Sequence, residues 1–289
     1  MTEMPNNRPL ALIAGNGRLP LEIKTELDRL GQQVLLVGIE GEVEEKLAGS
    51  ADAVFSFGQL GSLFGLFQKH GIKRLVLAGG VRKRPDLLRM KKDLTTLREV
   101  PRLLKIVMGG DNSVISKIAA YFGERDIEMV GAHEIVPELL APKGIIAGKK
   151  LPKGFDKGAR FAMEAAKTVG RLDAGQAVVL EDGRVIALEG AEGTDAMIQR
   201  VAELRRIARI RTDPESSILA KGMKPDQDIR ADLPAIGPDT VEGCVSAGIK
   251  AIVVEAGRTF ILEKERTLKD ARDAGLLIYG TKHAGINSA

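Results

Sequence analysis

Two segments in the C-terminal half concentrate residue types that handle phosphate. The first, Glu189-Gly190-Ala191-Glu192-Gly193-Thr194-Asp195, follows an apolar run and opens an amphipathic stretch. At such a junction Thr194 can cap a helix whose first backbone N–H groups face outward. Carboxylates beside those N–H groups suit a Mg²⁺ ion that bridges a pyrophosphate. A well-capped helix with no ligand explains the same residues. The second segment, SILAKGMKPDQDIRADLPAIGPDT from Ser217 to Thr240, sets Lys221, Lys224, Asp228, Arg230 and Asp232 in a long loop rich in Gly and Pro. Loops of that length in a compact domain are uncommon unless they are functional. Asp232 precedes Leu233-Pro234, and a residue before proline is held extended, which stiffens the segment. A stiff carboxylate near two lysines suits water activation or metal binding at a phosphate. A surface loop of salt bridges competes with that reading.

The N-terminal half offers two glycine turns. Gly15-Asn16-Gly17 falls between a strand and a helix, where a parallel sheet presents backbone N–H groups to anions. Pro20 stands where a dinucleotide fingerprint has its third glycine, while Glu40 near the end of the next strand can bind a ribose, so a nicotinamide cofactor stays open. The stretch Ala78 to Pro85 follows another strand and carries Gly80 and three cations suited to phosphate oxygens, Arg82, Lys83 and Arg84. His70, His133 and His283 form no His-x-x-x-His or Asp-x-His signature, which disfavours the calcineurin-like phosphoesterases. Gly148-Lys149 lacks the flanking residues of a Walker A loop, which removes the ordinary ATPase.

These residues need elements to hold them. Apolar runs at 10–14, 34–39, 53–55 and 74–78 alternate with amphipathic stretches at 19–30 and 60–70, which predicts a parallel sheet covered on both faces. A helix from Asp111 to Phe122 and a strand at 127–130 complete that pattern. Residues 137–154, PELLAPKGIIAGKKLPKG, read as a linker between a first domain over 1–136 and a second over 155–289. Beyond it come a helix at 157–169, a hairpin at 177–188 about Glu-Asp-Gly, a helix at 194–207, a strand near 218, a helix ending at Ala247, strands at 251–255 and 259–262, and a final helix before a strand at 276–279. The 289 residues, 44% apolar, suffice for two such cores.

Composition narrows the partners. A formal charge of +4 is compatible with anionic ligands and membrane surfaces without selecting either. With aromatic residues at 3% and no Trp, the stacking platforms of single-strand nucleic-acid binders are hard to build, so no nucleic acid is expected. Cys244 is the one cysteine, which rules out an intrachain disulfide and fits a reducing compartment. The N-terminus lacks the order of a secretion signal and no long apolar run offers a spanning helix, so the expected location is the cytoplasm.

Five pieces of the chain, LALIAGNGRLP, GDNSVISKIAAYFGERDIEMVGAHEIVPELLAP, RLDAGQAVVLEDGRVIALEGAEGTDAM, ILAKGMKPDQDIRADLPAIGPDTVEGC and VVEAGRTFILE, resemble the LpxI family of UDP-2,3-diacylglucosamine pyrophosphatases of lipid A synthesis in Gram-negative bacteria. The resemblance implies a Rossmann-like N-terminal domain and a family-specific mixed α/β C-terminal domain. It implies Mg²⁺-dependent hydrolysis of the lipid-linked UDP-sugar to UMP and 2,3-diacylglucosamine 1-phosphate. Carried over, Asp232 is the catalytic aspartate, and Gln176, Thr194, Asp195 and Lys221 line the substrate site with Gly15, Asn16 and Gly17. Asp195 and Asp232 are the candidate metal ligands. Gly80 and Arg84 join the substrate-binding residues, with two departures from the family pattern: Gly80 stands where the family usually has a polar residue, and one extra residue precedes Arg84. A homodimer and a peripheral contact with the inner membrane are compatible with this reading. A nicotinamide-dependent oxidoreductase and a non-catalytic nucleotide-sugar sensor are the alternatives.

Overall fold

A computed structural model describes residues 9–82, 86, 90–107, 111–225, 227–230 and 233–282. The chain divides into two compact units, one built from 9–136 with 228–230 and the other from 137–227 with 233 onward.

The first unit is a five-stranded, wholly parallel sheet in the order β3-β2-β1-β4-β5, the Rossmann-like order that the resemblance implies. Its strands are β1 (Leu10–Ala14), β2 (Val34–Ile39), β3 (Ala53–Phe55), β4 (Arg74–Ala78) and β5 (Glu128–Met129). Between them run α1 (Leu19–Arg29), α2 (Glu45–Ala48), α3 (Leu60–Lys69), α4 (Leu94–Val107) and α5 (Asp111–Gly123), and α6 (Ala132–Ile135) follows β5. The strands are apolar at nearly every position because both faces are covered. Ala11, Ile13, Leu35 and Val37 pack with Leu63 and Phe67 of α3 and with Tyr121 and Phe122 of α5, while α1 lies against β1 and β2. No helix was expected over 94–107. The stretch is amphipathic, but Pro101 within it argues against a helix on propensity, and the tertiary contacts of Leu103 and Ile106 supply what propensity does not.

The second unit is a six-stranded mixed sheet in the order β6-β13-β11-β9-β7-β8. Its strands are β6 (Gly144–Ala147), β7 (Ala177–Glu181), β8 (Arg184–Leu188), β9 (Ser217–Lys221), β11 (Ala251–Glu255) and β13 (Leu277–Thr281). Strands β9, β11 and β13 are parallel, β7 and β8 form the expected antiparallel hairpin, and β10 (Ala235–Ile236) pairs with β12 (Phe260–Ile261) in a separate ladder. Helix α7 (Phe155–Arg171) covers one face, and α8 (Gly193–Arg206), α9 (Pro238–Ser246) and α10 (Lys264–Asp273) cover the other. The period of two divides the strands between the faces. Val178, Leu180, Ile218, Ala220, Ala251 and Val253 pack on α7, whereas Val179, Leu219, Ile252 and Val254 pack on the opposite layer.

Residues 137–154, expected as a linker, belong instead to the second unit. Pro137–Leu139 is a 3₁₀ turn, and β6 pairs antiparallel with β13. Four residues, GIIA, are too few to show a period, so the pairing with a distant strand decides their conformation.

Candidate functional site

In an open α/β sheet, ligands bind beyond the carboxyl ends of the parallel strands. In the second unit the residues just past β9 and β11 share that edge with the start of β7 and the end of β8, because Ala177 pairs with Lys221 and Val178 with Leu188. Gln176, Glu189, Thr194, Lys221, Gly222 and Glu255 therefore meet at one rim. Leu219 faces the α8–α10 layer, and the period of two sends Lys221 to the same side. The Cys244 thiol of α9 registers both charges there: burial chiefly, helped by Asp195, pushes its pKa up, and Lys221 opposes.

Glu189 is the strut of this rim. Its carboxylate accepts the Gln176 backbone N–H at Oε2 (2.8 Å) and the Thr194 hydroxyl at Oε1 (2.8 Å). Thr194 thus does not cap α8 as expected. The N-cap is Glu192, without a side-chain cap bond, since Gly193 at φ +84° turns the chain into the helix early and the buried carboxylate takes the hydroxyl. The Gln176 carbonyl accepts the Gly222 N–H at 3.0 Å, and its side-chain Oε1 is buried with no hydrogen-bond partner among the described residues. A buried acceptor of this kind calls for a donor from a ligand or a water. On the α7 face, Glu255 (1% exposed) pairs with Lys167 at 2.7 Å and accepts the Met223 N–H at 2.9 Å, which fixes the turn after Lys221.

Asp195 is exposed in the first turn of α8, with no hydrogen bond or ion pair among the described residues. Magnesium commonly binds through one or two carboxylates together with substrate phosphates. Among the described residues no group of three or more His, Cys, Asp and Glu can hold a metal unaided. Asp195 is the exposed carboxylate that the first turn of α8 could offer such an ion.

The glycine turns of the first unit meet each other. Gly15 donates its N–H to the Ala78 carbonyl, and Asn16 and Gly80 exchange backbone hydrogen bonds of 2.9 and 3.0 Å. A Cβ on Gly15 would lie 2.3 Å from the Gly80 oxygen, and one on Gly79 would lie 2.3 Å from the Asn16 oxygen, so both positions require glycine. Carboxylates surround the first turn. Asn16 Nδ2 donates to Glu42 Oε2 and the Gly17 N–H to Glu44 Oε1, both at 3.1 Å. A dinucleotide pyrophosphate there would have to displace Glu44 and accept Pro20, buried in the first turn of α1, which weighs against the nicotinamide alternative.

Arg84 and Asp232 lie outside the described residues. Near the latter, Asp228 is chelated by Arg230 (Nε to Oδ1 2.9 Å, Nη2 to Oδ2 2.6 Å) and accepts the Ser116 hydroxyl at 3.2 Å, beside a groove of about 990 Å³ in the first unit.

Two family models divide the chain between them: the LpxI N-terminal domain matches residues 9–139 and the LpxI C-terminal domain residues 142–279. The chain belongs to the LpxI family. It is 34% identical over 278 residues to "UDP-2,3-diacylglucosamine pyrophosphatase LpxI" of Caulobacter vibrioides, which spans 94% of this chain and 97% of that one. Of the substrate-lining residues that the resemblance implies for this LpxI chain, Gln176, Thr194, Asp195 and Lys221 share the rim of the second unit, while Gly15, Asn16, Gly17 and Gly80 share the turn pair of the first. Sequence reading missed Lys167, Glu255, Glu42 and Glu44 as supports. For Lys167 a signal existed: it follows Met163 by four residues on the buried stripe of α7, where a lysine needs a partner.

Proposed function

We propose that the chain hydrolyses the pyrophosphate of UDP-2,3-diacylglucosamine on the cytoplasmic side of the inner membrane, releasing UMP and 2,3-diacylglucosamine 1-phosphate. The observation that carries this reading is the near end-to-end likeness to a relative whose name states that pyrophosphatase activity. The rim of the second unit supports it. Lys221 supplies a cation for non-bridging oxygens, the start of α8 supplies outward N–H groups, and the buried Gln176 Oε1 asks for a donor such as a sugar or ribose hydroxyl. Asp232, the aspartate that the family resemblance singles out, aligns or deprotonates the attacking water. Asp195 and Asp232, with the diphosphate oxygens, would hold Mg²⁺, which supplies charge neutralisation. The two acyl chains require an apolar surface, each buried CH₂ contributing about 0.8 kcal/mol.

The test is release of UMP from detergent-dispersed substrate with Mg²⁺, run beside Asp232→Ala. UMP well above a blank from the wild-type chain, lost by orders of magnitude in a folded variant that still binds substrate, is the expected result. No UMP above the blank, or wild-type turnover in the variant, refutes the proposal or its catalytic residue respectively.

A further inference from the structure

The outward face of α4 has no counterpart in the hydrolysis described above. Thr96 and Ile106 are buried, and Leu103 packs on the core of the first unit, so the helix is anchored along that side. On the opposite side Leu94 is 74% exposed and Leu97 58% exposed. At 3.6 residues per turn Leu94, Leu97 and Pro101 fall on one strip, with Arg98 and Lys105 alongside it. Arg98, Lys105 and the preceding Lys91 are exposed and make no ion pair among the described residues. The acidic residues are turned away. Asp93 accepts the Thr96 N–H at 2.7 Å and the Ser62 N–H at 3.2 Å, and Glu99 pairs with Arg125 at 2.9 Å.

A single exposed leucine is ordinary, but two on one strip bordered by exposed cations form a pattern suited to a membrane interface. We infer that α4 docks the chain on an anionic phospholipid surface, with Leu94 and Leu97 entering the headgroup layer and Arg98, Lys105 and Lys91 facing lipid phosphates. Charge complementarity selects this occupant. Two copies of the face related by a twofold axis would set Arg98 and Lys105 against their own equivalents. Among the described residues no helix is long and apolar enough to cross a membrane, so the contact is peripheral.

The test uses the full chain and flotation with vesicles that contain no UDP-sugar, so its outcome does not depend on the proposed hydrolysis. The wild-type chain is expected to float with vesicles of equal parts phosphatidylglycerol and phosphatidylcholine, to be released by high salt, and to ignore pure phosphatidylcholine. Leu94→Glu/Leu97→Glu should lower the partition at least about tenfold. Arg98→Glu/Lys105→Glu should lower it by more than about fivefold per site, because each cation near an anionic surface contributes about that factor. Far-UV circular dichroism checks both variants, and should the leucine variant misfold, the charge variant decides alone. A wild-type chain that does not float, or folded variants that bind as it does, would overturn the inference. So would a wild-type dimer that Leu94→Glu/Leu97→Glu dissociates while vesicles bind neither form, which assigns the face to a second copy.

Discussion

Replacing Lys167 with Met removes one partner of an ion pair whose other member cannot reach water. The Glu255 side chain is 1% exposed and that of Lys167 16%, with Nζ and Oε1 2.7 Å apart. Methionine keeps most of the aliphatic stem, so the change isolates the charge. The Met223 N–H at 2.9 Å stays in place but carries no full charge to offset that of Glu255. Breaking a buried pair from one side costs about 3–5 kcal/mol, since the orphaned charge keeps its desolvation penalty. With an m-value of about 2 kcal/mol/M, the urea midpoint of the second unit should fall by about 2 M. The double variant Lys167→Met/Glu255→Leu should recover part of that loss and end about 1–3 kcal/mol below wild type, because the Met223 N–H then lacks its acceptor. Circular dichroism in urea on Lys167→Met, Glu255→Leu and the double variant reads this cycle. A Lys167→Met variant within about 0.5 kcal/mol of wild type, or a double variant worse than the two single losses together, would refute the reasoning.

Three further outcomes follow from the same geometry. Gly15→Ala places a methyl group 2.3 Å from the Gly80 oxygen, so the two glycine turns must part; a loss of about 1–3 kcal/mol is expected by thermal melting, and an unchanged melting temperature counts against the turn pair. Glu189→Ala leaves the Gln176 N–H and the Thr194 hydroxyl without their acceptor, which costs about 1–3 kcal/mol for each group and should lower kcat/KM at least about tenfold; wild-type kinetics contradict its role as a strut. The Arg230 guanidinium holds the Asp228 carboxyl down from 3.8 to about 2. A depressed folded-state pKa gives stability that is complete above the unfolded value and lost as pH falls through the folded one. Urea midpoints of the wild-type chain should therefore drop more steeply than those of Asp228→Asn between pH 4 and pH 2, and parallel curves argue against the pair.

Periodicity made most of the fold legible. The runs at 10–14, 34–39 and 74–78 and the hairpin at 177–188 stand where expected because each is long enough to show its pattern and is bounded by turn residues. Where local signals misled, the deciding contact was distant in sequence: β6 depends on β13, and α4 is held by core contacts despite Pro101. The rim was legible in part for a similar reason. Lys221 and Thr194 stand out as residue types near turns, and strand pairing then brings them to one edge. Glu255 at the end of an apolar run looks like any strand terminus until α7 sets Lys167 against it. Thr194 resembles a cap because the rule for caps is local, whereas the hydrogen bond that wins comes from the hairpin strand before it.

The most direct measurement is a crystal structure of Asp232→Ala with UDP-2,3-diacylglucosamine bound. The diphosphate should lie within hydrogen-bond reach of Lys221 and the first turn of α8, with a substrate hydroxyl donated to Gln176 Oε1. A diphosphate bound with no contact to Gln176, Thr194, Asp195 or Lys221 would contradict the account of the site.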